Sequence, residues 1–373
     1  MKNRGVACSA LLSWMAFLVG ILACGEKKPL EIGFMAGLTG RVADLGVPGR
    51  NAALLAVEQC NAGGGIDGRP VHLIVRDDRQ DAATAKQMVS ELIDRKVDVI
   101  IGPMTSSMAV ATVEQVNASS TLMVSPTVTT TALSDRDDNF VRVLDDTSAY
   151  ARKSARYQIE TLGHRKAVAI YDLSNKEYSE SWFREFQTSY EALGGTLLLT
   201  RTFHSAPDTV FFEMVTDLLS AKPDMVLIVA SAVDAARICQ QVRKIDTTVS
   251  IAMSEWAATE RFIELAGNAS EKVHMAQFLN RNDTSAAYQS FRQKYLERYG
   301  HAPGFAGVAA YDATRVVLEA LARRRHGKTL KETIIAIGEF QGLQQRIPID
   351  NFGDAQRATF LAEVRDGQYW TLE

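Results

Sequence analysis

The residues able to do chemistry do not gather into a catalytic or metal-binding pattern. The histidines at 72, 164, 204, 274, 301 and 326 are scattered, and no His or Cys stands at metal-ligand spacing. Gly33, Gly37 and Gly40 miss the spacing of a dinucleotide loop, and no G-x-S-x-G elbow supplies a nucleophile. No metal, cofactor or enzymatic activity is therefore expected. What remains is polar. Ser106-Ser107 stand at the mouth of a helix that follows an apolar strand. A Ser there either caps the helix or, with free backbone N–H groups and the positive dipole end, binds a carboxylate. Glu255 closes a strand in Met253-Ser254-Glu255-Trp256. In a desolvated cleft its carboxylate is a strong acceptor for an ammonium group; in an open loop it is only surface. Asp77-Asp78 read as braces for the next helix, whose first turn includes Asp81.

The elements that must position these residues alternate. Short β-branched runs at Glu31 to Met35, Val71 to Arg76, Val97 to Ile101, Leu122 to Ser125, Lys166 to Tyr171, Leu197 to Phe203, Met225 to Val229 and Ser250 to Met253 are each followed by a helical pattern or a polar loop. That order predicts parallel α/β units with helices on both sheet faces. The unit repeats in two halves, one ending near Asp145 and the next beginning near Ser148. Ligands of open parallel sheets sit beyond the carboxyl ends of the strands. The informative loops are therefore Gly37 to Gly46, Gly102 to Met108 and Ser125 to Thr131, and two such sheets face each other across a cleft. Later, helices are expected over Tyr288 to Tyr299, Gly307 to Arg325 and Leu330 to Phe340, and a strand over Arg357 to Arg365 pairs with Gln368 to Trp370.

The first segment carries Lys2 and Arg4, then an apolar run from Ala10 to Leu22, then Ala23-Cys24. A run of about 13 residues falls short of the ~20 a spanning helix needs, so it reads as an export signal. Ile21-Leu22-Ala23-Cys24 resembles a bacterial lipobox, which implies cleavage before Cys24 and lipidation of its thiol. Gly25-Glu26-Lys27-Lys28 would be a polar tether. After processing, Cys60 and Cys239 remain; they are expected to be half-buried, unpaired thiols on different lobes. Lys and Arg number 41 against 44 Asp and Glu, a balance that gives no basic signature for nucleic acid.

Three strings carry a resemblance: Ile32-Gly33-Phe34-Met35-Ala36-Gly37-Leu38-Thr39-Gly40, Asn61-Ala62-Gly63-Gly64-Gly65-Ile66-Asp67-Gly68-Arg69-Pro70 and Arg76-Asp77-Asp78. The likeness continues, in order, through Ile101 to Ser107, Ser125 to Thr129, Asp172 to Tyr178 and Ala310 to Ala313. The chain resembles the type I periplasmic solute-binding proteins of the leucine/isoleucine/valine-binding family, which feed ABC importers. The triple glycine is structural, a helix stop and tight turn.

The resemblance implies two doubly wound parallel-sheet lobes joined by a hinge. Its expected boundaries are a signal over 1–23, a tether over 24–29, lobe one over 30–145 plus 279–355, and lobe two over 146–278 plus 356–373. Hinge strands are expected near Val143 to Asp146, Met275 to Leu279 and Asp354 to Ala358. By the same resemblance Ser106 and the loop of Thr127 to Thr129 hold a ligand carboxylate. Glu255, the Thr127 carbonyl and the Thr129 hydroxyl hold its ammonium, and Tyr178 covers it. The alternative for Tyr178 is packing on its own helix alone.

Val42, Ser231 and Trp256 depart from the familiar residues around the side-chain pocket. Thr105 replaces a Cys of the best-known members, and no partner Cys occurs near Arg79, so their disulfide is absent. The implied partners are a small-molecule ligand, an amino acid above all, a membrane permease, and the membrane through a lipid anchor, in a bacterial periplasm or at a cell surface. A ligand sensor working by the same closure is the competing reading.

Overall fold

The computed structural model describes residues 27–372. The expected signal segment and the expected lipidation site at Cys24 lie outside the described residues, among which no helix is long and apolar enough to cross a membrane. The first half runs β1 (Leu30–Ala36), α1 (Ala43–Ala62), β2 (Val71–Asp77), α2 (Ala82–Asp94), β3 (Val99–Ile101), α3 (Ser106–Asn117), β4 (Leu122–Ser125) and β5 (Phe140–Arg142). The second runs α4 (Thr147–Arg156), β6 (Lys166–Asp172), α5 (Lys176–Ala192), β7 (Thr196–Phe203), α6 (Phe212–Ser220), β8 (Met225–Val229), α7 (Ala232–Ile245), β9 (Ser250–Met253), α8 (Glu260–Ala266) and β10 (Val273–Gln277). The chain finishes with α9 (Ala286–Tyr299), α10 (Gly304–Arg323), α11 (Leu330–Ile337), β11 (Glu339–Gln341), β12 (Arg346–Pro348), β13 (Phe360–Arg365) and β14 (Gln368–Thr371).

The first sheet is ordered β2-β1-β3-β4-β5 and the second β14-β13-β10-β9-β8-β6-β7. Read from β7, the parallel part of the second sheet repeats the order of the first. All pairs among β1 to β5 and β6 to β10 are parallel. The central strands β3, β4 and β8 are buried at every residue, as helices on both faces of a parallel sheet require. The β13–β14 hairpin turns on Asp366-Gly367, both at positive φ, and joins β10 antiparallel. Helix α10 packs along α1 and against β3 and β4, returning the chain to the first lobe.

Glycine is required where the first lobe's loops turn back. Helix α1 ends at Ala62 and the left-handed turn falls on Gly64 (φ +99°) and Gly65 (φ +72°). A Cβ on Gly102 (φ +118°) would meet the Met35 carbonyl oxygen at 2.0 Å. Without that close approach, the loop from β3 into α3 could not lie beside β1.

Several expectations need correction. The strands β5, β11 and β12 were not foreseen. The predicted helix over Leu330 to Phe340 stops at Ile337, because Gly338 at φ +73° caps it and the next residues pair as β11. Residues 275–277 belong to β10, so the second crossing begins at Phe278. Cys239 is fully buried in α7 rather than half-buried, and both it and Cys60 are free.

The three crossings meet at one side chain. Arg357 donates its backbone N–H to Asp145 Oδ2 at 2.7 Å and Nη1 to the Val143 carbonyl at 3.4 Å, and its guanidinium lies 4.8 Å from the Phe278 ring centroid. Nη1 also pairs with Asp312 Oδ2 of α10 at 3.0 Å, with side-chain exposures of 0% and 1%. Burial raises the Asp312 carboxyl pKa, against the lowering pull of Arg357. Truncating one member strands the other as a buried charge. Asp312→Ala is expected to lower unfolding free energy in urea by about 3 to 5 kcal/mol; a loss under about 1 kcal/mol would show that the pair does not hold the crossings.

Candidate functional site

The loops at the carboxyl ends of the strands of both sheets meet in two adjoining chambers. Almost every lining residue follows a strand, the arrangement expected where strand order reverses. The inner chamber, about 20 Å³, is lined by residues including Met104, Ser106, Thr127, Thr129, Tyr178 and Glu255. The outer one, about 320 Å³, is lined by Arg41, Val42, Arg79, Gln80, Asp172 and Ser231 among others. Asn175 and Trp256 border both. The eight residues singled out from sequence thus stand around these two spaces, six at the inner chamber and Val42 and Ser231 at the outer.

Ser106 does not cap its helix. Thr105 occupies the N-cap position of α3 without a side-chain bond, and Ser106 Oγ, on a residue 1% exposed, has no hydrogen-bond partner. The Ser107 amide is instead taken across the cleft by Asn175 Oδ1 at 3.0 Å. Thr127 uses its hydroxyl to donate to the Met104 carbonyl at 2.6 Å, bracing the loop after β3. Thr129 Oγ1 is buried and partnerless, while its carbonyl accepts from Thr147 N at 2.6 Å.

From the second lobe comes Glu255, 5% exposed, in a 3-10 turn directly after β9. Its Oε2 accepts from Trp182 Nε1 at 2.8 Å and its Oε1 has no hydrogen-bond partner. Burial pushes its pKa up to about 7, against the lowering effect of its hydrogen bonds. The Tyr178 hydroxyl stands beside this carboxylate without meeting hydrogen-bond geometry, and its ring meets Trp256 edge-on at 5.5 Å. Burial, then the Glu255 charge, holds that phenol well above its usual ionisation range. Ser231 caps α7, accepting from Asp234 N at 3.4 Å, and also donates to Asp234 Oδ2 at 3.2 Å.

Sequence reasoning missed Trp182, Asn175, Arg41 and Gln80. Trp182 was recoverable: Tyr178, Trp182, Phe186 and Tyr190 recur at i, i+4 along α5, and Trp182, Phe186 and Tyr190 stack successively at 5.7 and 5.1 Å. No local signal marks the other three, whose roles depend on contacts made by folding. Asp77 also does something other than expected. It accepts from Leu38 N at 2.8 Å, Arg79 N at 2.9 Å and Thr39 Oγ1 at 2.7 Å, tying the loop after β1 to the loop after β2. Asp81 alone caps α2. Where the resemblance removes a disulfide, Thr105 Oγ1 donates to Gln80 Oε1 at 2.8 Å and links the loop after β3 to the loop after β2.

Further contacts join the lobes: Arg41 with Asp234, Thr259 Oγ1 to Asp44 Oδ2 at 2.9 Å, and Thr131 Oγ1 with Ser181 Oγ at 2.9 Å. Burial raises Asp44 to about 6. Among the described residues, the carboxylates of Asp135, Asp350 and Asp354 lie within 4.8 Å of one another. Protein donors already hold two of the three: Arg142 Nε sits 2.7 Å from Asp354 Oδ1, and Asp350 Oδ1 accepts from the amides of Phe352, Gly353 and Asp354 at 2.9, 3.0 and 2.9 Å.

This geometry has counterparts among known proteins. A Leu/Ile/Val-binding protein of Rhizobium johnstonii is 27% identical over 198 residues, 53% of each chain. A chemotactic signal transduction substrate-binding protein of Halobacterium salinarum is 28% identical over 55% of this chain and 50% of its own. The matched stretch thus spans about half the length of these curated relatives. A branched-chain amino acid transporter substrate-binding protein of Streptococcus pneumoniae, solved in complex with isoleucine, superposes with a TM-score of 0.85 at 22% identity, covering 92% of this chain and 99% of that one. It shares the two-lobed fold. The model of the periplasmic binding protein family, whose members bind solutes rather than transform them, matches residues 29–368, and the chain belongs to that family.

Proposed function

We propose that this chain is the extracytoplasmic substrate-binding component of an ABC importer, taking a small amino acid or related carboxylate between its lobes and closing over it by hinge motion. The observation that carries the reading is the polar imbalance of the inner chamber. Ser106 Oγ and Thr129 Oγ1 from one lobe, and Tyr178 OH and Glu255 Oε1 from the other, are buried there without partners. Each such atom costs about 1 to 3 kcal/mol unless something bonds it. A zwitterion meets three of them: its carboxylate accepts from Ser106 Oγ and its ammonium donates to Glu255 Oε1 and Thr129 Oγ1. Because Ser106 and Thr129 come from one lobe and Glu255 from the other, a ligand joined to all three favours the closed state. At about 20 Å³ the chamber has room for one water, so entry requires the lobes to part.

The relatives' Leu/Ile/Val and isoleucine ligands support an amino acid. Lipidation at Cys24 would tether the protein to a membrane facing its permease, in the periplasm or at the cell surface. The halobacterial relative favours a second reading, a sensor that reports the same closure to a signalling partner. Co-purification with a permease complex, against co-purification with a chemoreceptor, separates the two.

Four outcomes are expected. Glu255→Ala weakens amino-acid binding by about 2 to 5 kcal/mol in titration calorimetry, as truncating one side of a buried charge pair does; unchanged affinity would remove Glu255 from the site. Glu255 at about 7 is largely protonated at pH 6, and an ammonium ligand favours its ionised form. Binding at pH 6 should therefore release close to one proton, read from the dependence of enthalpy on buffer ionisation, and affinity should fall as pH drops from 8 to 5. Glu255→Gln should abolish the release.

The same shift has a sign for stability. The unfolded carboxyl ionises near its ordinary 4.5 and the folded one near 7, so the ligand-free fold loses this contribution as pH rises between those values. Last, Cys24→Ser should move the protein from the membrane to the soluble fraction of cells; continued membrane retention would count against the lipid anchor.

A further inference from the structure

The outer chamber has the wrong chemistry for a branched aliphatic side chain. This step rests on the reading above, in which the inner chamber holds the zwitterion. Asn175 and Trp256 border both spaces, so a side chain leaving the inner chamber extends into the outer one. There the apolar wall is confined to Val42 and Trp256. The remaining lining residues are polar, and most of their acceptors are already used, Asp172 Oδ2 being the exception among the described hydrogen bonds.

Asp172 Oδ1 accepts from the amides of Ser174 at 2.8 Å and Ser205 at 3.0 Å. The Ser205 and Ser231 hydroxyls bond to Asp234, which also pairs with Arg41. Asn175 Oδ1 is held by the Ser107 amide. Donors, by contrast, are left over. Arg41 Nε and Gln80 Nε2 are buried in the wall with no hydrogen-bond partner. The exposed Arg79 side chain makes no hydrogen bond among the described residues, its charge lying near Asp77. An aliphatic side chain would leave buried donors unpaired, and each unmade bond subtracts from affinity.

We propose that the ligand is an amino acid whose side chain ends in a planar acceptor, a carboxylate or a carboxamide, received by Arg41 Nε, Gln80 Nε2 and the Arg79 guanidinium, and that the branched-chain amino acids are the poorer ligands. A guanidinium fork suits such an acceptor because it can be met by two parallel N–H groups. Trp256 then forms the apolar side of the passage along which the methylene stem lies.

The test is titration calorimetry of the purified protein with glutamate, aspartate, glutamine, asparagine, leucine, isoleucine and valine. The acids or the amides should bind at least about tenfold tighter than leucine, and whichever pair is tighter names the terminal group. Arg79→Met should cost the polar ligands about tenfold and leave leucine unchanged. Arg79 is exposed, and an unaltered melting temperature would confirm that this variant folds. Leucine binding as tightly as the polar ligands, or an equal loss for both classes in Arg79→Met, overturns the proposal. If leucine is preferred and Glu255→Ala abolishes its binding, the zwitterion reading stands and this one falls. If no amino acid binds, both fall.

Discussion

The Arg357 guanidinium is the interaction on which the two-lobed arrangement depends. Three separate stretches of chain connect the lobes, and each comes to this residue: residues 143–146 through Asp145 and Val143, the segment after β10 through Phe278, and the last crossing through Arg357 itself. Asp312 supplies the counter-charge from α10, and its second oxygen accepts from Leu343 N at 2.8 Å. A second stitch runs beside it, where Gln345 donates to the Phe278 carbonyl at 2.8 Å and accepts from Ala358 N at 2.8 Å. A buried ion pair adds little net stability over an apolar equivalent, but breaking one is expensive. That asymmetry suits a junction, since it fixes which segments meet without demanding rigidity of the lobes beyond it.

With the crossings pinned at one end, the strand ends of both sheets are left facing each other at the other. The two sheets share one topology, so their switch points present equivalent loops, and the chambers form between those loops. The price of the arrangement is visible in the inner chamber, where a carboxylate with a pKa near 7 and several hydroxyls are buried without full hydrogen bonding. Such atoms destabilise a free fold and stabilise a complex by the same amount once bonded. The aromatic column on α5 keeps Trp182 in place as donor to Glu255, so one carboxylate oxygen is satisfied and the other is held toward the chamber. Rigid packing behind and unmet polarity in front are what a binding site requires of its support.

Much of this was legible in the sequence, for reasons that can be stated. Strands such as Leu122–Ser125, Met225–Val229 and Ser250–Met253 are continuous apolar runs between polar loops, and parallel sheets demand that pattern; they fall where it puts them. Short segments escaped. Phe140–Arg142 is a three-residue strand with no period to read, and Gly338 ended a helix whose apolar stripe seemed to continue. The location of Ser106, Thr129, Tyr178, Glu255 and Trp256 around one space came from strand-end position and resemblance. Their hydrogen-bond state did not, because it depends on atoms far apart in the chain. Asn175 and Gln80 show the limit: one is bound by residue 107 and the other by residue 105, and neither pairing leaves a trace in local spacing.

The Asn175 contact also bears on how closure is balanced. The Ser107 amide, at the N-terminus of α3, is already met by the opposite lobe, and Glu177 N approaches Ser107 Oγ in return at 3.4 Å. Together with Arg41–Asp234 and Thr259–Asp44, these contacts hold the two lobes against each other without a ligand. On the proposed reading these contacts must open before a solute larger than the one water the inner chamber has room for can enter, so they oppose entry as much as they favour reclosing over the solute. On that reading the inter-lobe contacts are the same for every solute, so discrimination would reside in whether the solute satisfies the unpaired groups of the two chambers.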